Sequence, residues 1–434
     1  MMVALIGFLM IVVIVALLLK GKMSPIVVLG VVPAIAALIL GHSPVDIMGY
    51  IADGIKTTTS NGILFIFSVI FFGVLADAGL FDVIVSWLVK KAGDNVVAVT
   101  VVTALIATIA HLDGTTAVTV LITIPSMLPV YKKMNIDPRI LLCLTGACMG
   151  VMNLLPWGGP TARAATVLEM DATELWHMLI PLQLVGLIMN ITLAVLLGLY
   201  AKKHGAGAGK GVVTEEDVKE EKAAAELKKS TPYLIFDFLL TVGVIALLSS
   251  GVGKSYVVFM LGLCILLAVN YPDQKTQDKL IKKHAPAALI ISATLFAAGA
   301  MVGVFDGTGM LEAMAQAIMS IIPASLGKYI HLIFGVLALP LGMCVGTDAY
   351  FYGIMPLVMQ VGETYGVASL NTALTMLIGK NLALMVSPLV PATYLAIGLT
   401  GTELKDHMKF SIAPYYLVSL IMLVFGVLLG IVAI

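Results

Sequence analysis

Apolar runs nearly free of charge follow one another along the whole chain, at 3–19, 25–40, 62–75, 178–200, 234–248, 256–269, 285–304 and 411–434. A helix of about 20 residues crosses a hydrocarbon core of ~30 Å. Each run therefore predicts a spanning helix, the shorter ones tilted or extended by flanking residues. Other apolar stretches are interrupted. The polar points His111-Leu112-Asp113-Gly114-Thr115-Thr116 and Val345-Gly346-Thr347-Asp348 each break a run that resumes in a short apolar arm, and prolines break the stretches around Trp157 and Pro388. The pattern predicts two re-entrant hairpins, at about 95–131 and 326–366, and two broken helices, at about 139–168 and 370–399.

These interruptions recur in one order. Residues 72–81 resemble 303–311, each closing an apolar span on an acidic residue beside glycine, Asp77 and Asp306. The broken runs follow, then 153–161 matches 384–392, and both lead into acidic loops at Glu174 and Glu403. Residues 1–200 and 232–434 thus read as two repeats, joined by a polar linker at 201–231 rich in Lys, Glu, Ala and Gly. With about five crossings and one hairpin in each, an odd number, the repeats must be inverted with respect to one another, a plan of secondary transporters. The expected fold is an all-α polytopic membrane protein with interrupted helices at the midplane.

Lysine and arginine near span ends mark the cytoplasmic side. Lys20 and Lys22, then Lys90 and Lys91, then Lys132, Lys133 and Arg139, then Lys202 and Lys203, then Lys275 to Lys283, and finally Lys405 and Lys409 all fall on one side if 95–131 enters and leaves by the same face. The other side receives Asp46, Asp53, Glu169, Asp171, Glu174, Glu312 and Glu363. Both termini are then extracytoplasmic, in an inner-membrane protein.

Composition agrees with lipid as the main solvent: 60% of residues are hydrophobic and 12% charged, against about a quarter charged in soluble domains. Zero net charge gives no field for nucleic acid. Cys143, Cys148, Cys264 and Cys344 sit inside apolar segments without metal-site spacing and read as small core residues. The first run has no basic region before it and no small-residue cleavage site after it, so a retained span is expected. The Met310, Met314 and Met319 face reads as amphipathic packing.

Main chain that leaves a helix at membrane depth exposes N–H and C=O groups, each costing several kcal/mol in hydrocarbon. Such breaks persist around water, ions or a solute, where helix N-termini suit an anion and free carbonyls a cation. The polar residues at the breaks are Asp113, Gly114, Thr115 and Thr116; Asn153, Gly158, Gly159 and Thr161; Gly346, Thr347 and Asp348; and Asn381, Ser387 and Thr393. Asp113 and Asp348 serve either as hairpin caps or as ion or proton carriers, readings that can coexist. Lys380 is either an internal salt-bridge partner or a contact for substrate charge. Arg163 flanks the membrane surface or faces the substrate, His111 is a satisfied interior histidine or a proton relay, and Trp157 packs against the scaffold.

The segments His111-Leu112-Asp113-Gly114, Asn-Leu-Leu-Pro-Trp-Gly-Gly-Pro-Thr-Ala-Arg at 153–163, Gly379-Lys380-Asn381, and Ser-Pro-Leu-Val-Pro-Ala-Thr-Tyr at 387–394 resemble the CitMHS family of citrate transporters, within the ion transporter superfamily. The similarity covers nearly the whole chain, and the string at 153–163 is its most specific part. The resemblance implies proton-coupled symport of citrate complexed to a divalent metal such as magnesium or calcium. It also implies a homodimer in which a transport domain slides against a scaffold domain, the elevator arrangement, with no permanently bound cofactor. One departure is Thr115-Thr116, where the family pattern often carries a further Asp-Gly; losing that acid leaves room for a different carboxylate. The chain also lacks the Ser-Asn-Thr tips of the sodium-coupled dicarboxylate branch, which favours proton over sodium.

On this reading Gly114, Thr115, Thr116, Asn153, Gly158, Gly159, Thr161, Gly346, Thr347, Lys380, Asn381 and Thr393 hold the carboxylate substrate. Asp113, Asp348 and Ser387 serve the coupling ion, and Asp113 and Asp348 are the candidates for contact with a metal. Alternatives are a sodium-coupled dicarboxylate or gluconate-like symporter, a cation/proton antiporter, and an intramembrane enzyme, although no HExxH or GxSxG pattern occurs.

Overall fold

The computed structural model describes residues 2–20, 22–207, 231–319 and 324–433. Most of the linker expected at 201–231 lies outside the described residues. Helices dominate, and no strand occurs among the described residues. The first half runs α1 (Met2–Lys20), α2 (Pro25–Ile39), α3 (Pro44–Asp77), α4 (Leu80–Ala92), α5 (Val96–Ala110), α6 (Thr116–Lys133), α7 (Pro138–Met152), α8 (Gly159–Val167) and α9 (Ala172–Lys203). The second half runs α10 (Thr231–Ser249), α11 (Ser255–Asn270), α12 (Gln274–Thr308), α13 (Met310–Met319), α14 (Ile330–Cys344), α15 (Met355–Thr364), α16 (Ser369–Leu382), α17 (Pro391–Thr400) and α18 (Leu404–Leu428). A π-helical stretch, Ala349–Ile354, leads into α15. The halves open alike, with helices of 19, 15 and 34 residues answered by 19, 16 and 35.

Six described helices are long and apolar enough to cross a membrane, and shorter apolar helices stand among them. This is a multi-pass membrane protein. Polar residues punctuate the apolar runs by capping helix ends, which satisfies amides that have no partner within the helix. Ser43 and Asp46 form a reciprocal capping box at the start of α3. Asn95 accepts from the Val97 and Ala98 amides, Asp137 from Arg139, and Asp171 from Thr173. Asp273 caps α12, and hydrogen bonds from Thr276 hold its carboxyl below the usual carboxylate range.

The two longest helices, α3 and α12, pack antiparallel. Tyr50 lies against Gly307, Gly54 against Gly299 and Gly303, the Gly62 carbonyl accepts from Ser292 Oγ at 2.8 Å, and Gly73 faces the His284 ring. At the far end Asp77, the last residue of α3, pairs with Lys283 at 2.5 Å and His284 at 2.9 Å. A Cβ at Gly54 would lie 2.0 Å from the Gly299 carbonyl oxygen. Lipid tails give little drive for helix association, so glycine spaced by four is what lets the two backbones touch. Around this pair, α2 packs on α12 and α11 on α3. A second group gathers the hairpins and broken helices: α5 with α6, α7 and α9, α14 with α16, and α18 with α7, α9 and α16.

Both hairpins close on themselves. Thr103 Oγ1 and the Tyr131 hydroxyl meet at 3.0 Å between α5 and α6, and Asp94 and Lys133 meet at 3.6 Å where the two arms end. In the second hairpin Gly362 faces Ile330, and Gly327 lies against the Tyr365 ring. Each hairpin therefore begins and ends at the same level. Cysteine burial differs from expectation: Cys143 and Cys148 are buried, but Cys264 and Cys344 are exposed. An apolar residue in a membrane helix can face lipid as readily as protein, so position within an apolar run does not fix burial.

Candidate functional site

The first hairpin turns through a single 3₁₀ turn, His111–Asp113, onto Gly114 at φ +74°. A Cβ there would lie 2.7 Å from the Trp157 carbonyl oxygen, so both the left-handed backbone and the close approach require glycine. Asp113 is buried, and its carboxylate accepts from the Thr115 amide at 2.9 Å and the Thr115 hydroxyl at 2.5 Å, the geometry of a cap. Thr116, half-buried, opens α6. Both ring nitrogens of buried His111 are engaged, Nδ1 with Thr119 Oγ1 at 2.6 Å and Nε2 with Asn153 Oδ1 at 3.1 Å.

Asn153 ends α7, where the first broken helix leaves helical geometry until Gly159 opens α8. The Trp157 indole N–H donates to the Leu112 carbonyl at 2.6 Å, fastening the break to the hairpin tip. Its rings stack on Phe72 and meet Phe259 edge-on with centroids 4.9 Å apart, so Trp157 packs in an aromatic cluster. Thr161 Oγ1 donates across the break to the Asn153 carbonyl at 2.7 Å. Gly158 is buried against that same carbonyl, and the Gly159 carbonyl accepts from Arg163 at 3.0 Å. Asn153 Nδ2 is buried without a partner.

The second half also breaks in a hairpin and in a later helix. Its hairpin breaks at Val345 and Gly346, after which Thr347 and Asp348 are already helical. Its broken helix leaves α16 at Ala383 and resumes at Pro391. Thr393 Oγ1 donates back to the Leu384 carbonyl at 3.3 Å, as Thr161 does in the first half. Ser387 Oγ donates to the Met343 carbonyl at 2.9 Å, tying this break to its own hairpin. Lys380 is fully buried; its ammonium donates to the Gly342 carbonyl at 2.7 Å and stands 5.6 Å from the Tyr350 ring centroid. Lys380 makes no ion pair among the described residues, so the salt-bridge alternative is not what the fold adopts. Asn381 is buried with both amide atoms unpartnered.

The halves join through charge. Arg163 Nε donates to Asp348 Oδ1 at 2.6 Å, with each side chain about one-fifth exposed (20% and 20%). Lys380 and Tyr352 lie within electrostatic reach of this pair, and the Tyr352 hydroxyl is buried without a partner. Gly150 of α7 faces the Asn381 carbonyl. The Arg163–Asp348 pair and the buried Lys380 side chain thus lie where the breaks converge, beside the amide ends of helices, a setting suited to an anion. Asp113 and Asp348 each have a separate partner and share no contact. No group of three or more His, Cys, Asp or Glu among the described residues is gathered for a metal ion.

Sequence reading left Arg163 between membrane surface and interior; the fold brings it inside, onto Asp348. It passed over Tyr350 and Tyr352. Their signal was the Tyr-Phe-Tyr that directly follows the second polar break, since buried hydroxyls at membrane depth need partners.

The profile of the citrate transporter family CitMHS matches residues 1–379. The chain is 33% identical to the citrate transporter of Bacillus subtilis (strain 168) and 34% identical to the Mg(2+)/citrate complex secondary transporter of the same organism, in each case over 100% of both chains. Among solved structures, the YdaH transporter of Alcanivorax borkumensis is similar with a TM-score of 0.59 at 14% identity, over 88% of this chain and 87% of that one. At that identity the likeness is one of fold.

Proposed function

The chain belongs to the citrate transporter family CitMHS, and we propose that it is a cation-coupled symporter carrying a di- or tricarboxylate, citrate first, through the junction of Arg163, Asp348 and Lys380. The observation that carries this reading is the Arg163–Asp348 pair where helices break in both halves, with Lys380 buried on the Gly342 carbonyl and without an ion pair among the described residues. A charge at membrane depth costs at least ~2.5 kcal/mol on insertion scales. A surplus cation there is offset when an anion binds beside it.

The amides and hydroxyls of Thr116 and Thr347 and the Gly346 amide grip the substrate carboxylates, with the amide end at Gly159 directed to the same anion. Gly114, Thr115 and Gly158 shape the site, since their amides and the Thr115 hydroxyl are bonded to His111, Asp113 and Leu155. Asn153, Asn381, Thr161 and Thr393 orient it, and the unpartnered amide atoms of Asn153 and Asn381 are available to do so. A substrate carboxylate competes with Asp348 for Arg163. Asp113, Asp348 and Ser387 serve the coupling ion, a proton in preference to sodium. A divalent metal, where present, enters as part of the citrate complex; it is cargo, and Asp113 and Asp348 are the acids available to it.

Two inverted repeats and a transport domain moving against a scaffold fit this reading. In support, the helix lengths recur, α3 and α12 run antiparallel, and the packing of α2 on α12 is mirrored by α11 on α3. A homodimer follows from the same family reading. The test is uptake of labelled citrate into proteoliposomes, with and without magnesium, under imposed proton or sodium gradients. Accumulation driven by a proton gradient is expected; no uptake of any carboxylate under either gradient removes the proposal.

A further inference from the structure

A cleft of about 420 Å³ opens between α4, α10 and the tip end of the first hairpin, lined by Leu80, Trp87, Ile109, Leu112, Phe238 and Ile245 among others. Its exposed lining is entirely apolar, and its volume falls in the ~300–1,000 Å³ range of sites that enclose small ligands. Trp87 is 58% exposed and Phe238 49%, so the cleft opens sideways toward the lipid. Two features separate it from ordinary lipid-facing surface: an inner wall formed by the hairpin tip, and a charged rim.

The rim is cationic. Helix α4 ends in Lys90 and Lys91, both exposed, and the Lys91 ammonium stands 5.8 Å from the ring of Trp87, which lines the cleft. The neighbouring Asp94 is turned to Lys133, and neither Lys90 nor Lys91 meets a carboxylate among the described residues. Tryptophan settles at headgroup depth, and lysine beside it attracts anionic lipid by about 1 kcal/mol each. An apolar slot with two free ammonium groups at its mouth matches one class of molecule in both parts.

We propose that this cleft binds one acyl chain of an anionic phospholipid whose headgroup phosphate sits on Lys90 and Lys91. The inner wall gives the site a consequence. Leu112 precedes Asp113 and its carbonyl holds Trp157, so the bound chain packs against the outer side of the hairpin tip. Any shift of that hairpin relative to α4 and α10 reshapes the cleft. Binding does not depend on which solute is carried.

The test uses the full-length protein in phosphatidylcholine bilayers containing a small fraction of lipid brominated on its acyl chains, which quenches tryptophan on contact. The Trp87 signal is isolated by subtracting a W87F variant. Brominated phosphatidylglycerol is expected to quench Trp87 at least about fivefold more efficiently than brominated phosphatidylcholine at equal mole fraction, the preference one lysine provides. K90Q/K91Q should bring the two lipids level, and I245W, which fills the slot, should weaken quenching by both. Should W87F not fold, the same lipid comparison between wild type and K90Q/K91Q on total emission decides the question. Equal quenching by both lipids in the wild type would mean ordinary boundary lipid and overturn the proposal. Quenching by neither lipid, with W87C crosslinking between two copies, would overturn it in favour of a protein interface.

Discussion

Arg163 and Asp348, 185 residues apart in the chain, meet at 2.6 Å and join α8, which follows the gap in the first broken helix, to the start of the second arm of the second hairpin. Removing one member of a largely buried pair strands the other, whereas removing both does not. R163Q and D348N are each expected to lower stability in detergent by about 2 kcal/mol, the exposed fifth of each side chain moderating the effect, and R163Q/D348N by less than their sum. Thermal unfolding of the three variants measures this. Under the proposed role of this pair in holding substrate and coupling ion, all three should lose citrate uptake.

Lys380 separates anion symport from cation exchange on the same plan. K380M should reduce citrate uptake at least about tenfold, equivalent to ~1.4 kcal/mol, chiefly through a raised KM. K380R should not restore it, because a planar guanidinium does not fit the place of an ammonium between the Gly342 carbonyl and the Tyr350 face. A K380A protein that kept most of its activity would favour cation/proton antiport.

Gly114 tests the hairpin tip. G114A combines a left-handed backbone, costing about 1–2 kcal/mol for a residue with a side chain, with a clash against the Trp157 carbonyl. It should abolish uptake while leaving the protein in the membrane. W157F, which removes the donor to Leu112 and trims the aromatic packing but keeps a ring in place, should retain partial uptake, measured in the same vesicles.

The α3 and α12 crossing is predicted to tolerate no side chain. G303V places atoms against the Tyr50 carbonyl, 2.1 Å from where its Cβ would stand, and should lower the yield of folded protein. G398A, on a helix face where nothing lies within 4 Å of a Cβ, should have no such effect. Fluorescence-detected size-exclusion chromatography compares the two.

The Asp94 and Lys133 contact puts both ends of the first hairpin on one face, which the lysine pattern predicts to be cytoplasmic. D94C and K133C should both react with an impermeant thiol reagent from the cytoplasmic face and crosslink when combined. Labelling from opposite faces would overturn the hairpin.

The sequence alone determined much of where helices run and where they fail, because both are local: apolar runs need lipid, Gly114, Pro156 and Pro388 interrupt a helix through their own backbones, and Pro391 suits the first position of α17. It also carried, unread, the spacing Gly299, Gly303 and Gly307, a stripe for close helix contact. Tertiary structure decided which charges face each other. Arg163 gained Asp348, Lys380 gained only a carbonyl and a ring face, and Asp77 gained Lys283 and His284. A charge buried in a membrane must find a partner, but which partner depends on how distant helices pack, and nothing in the residues on either side of it specifies that.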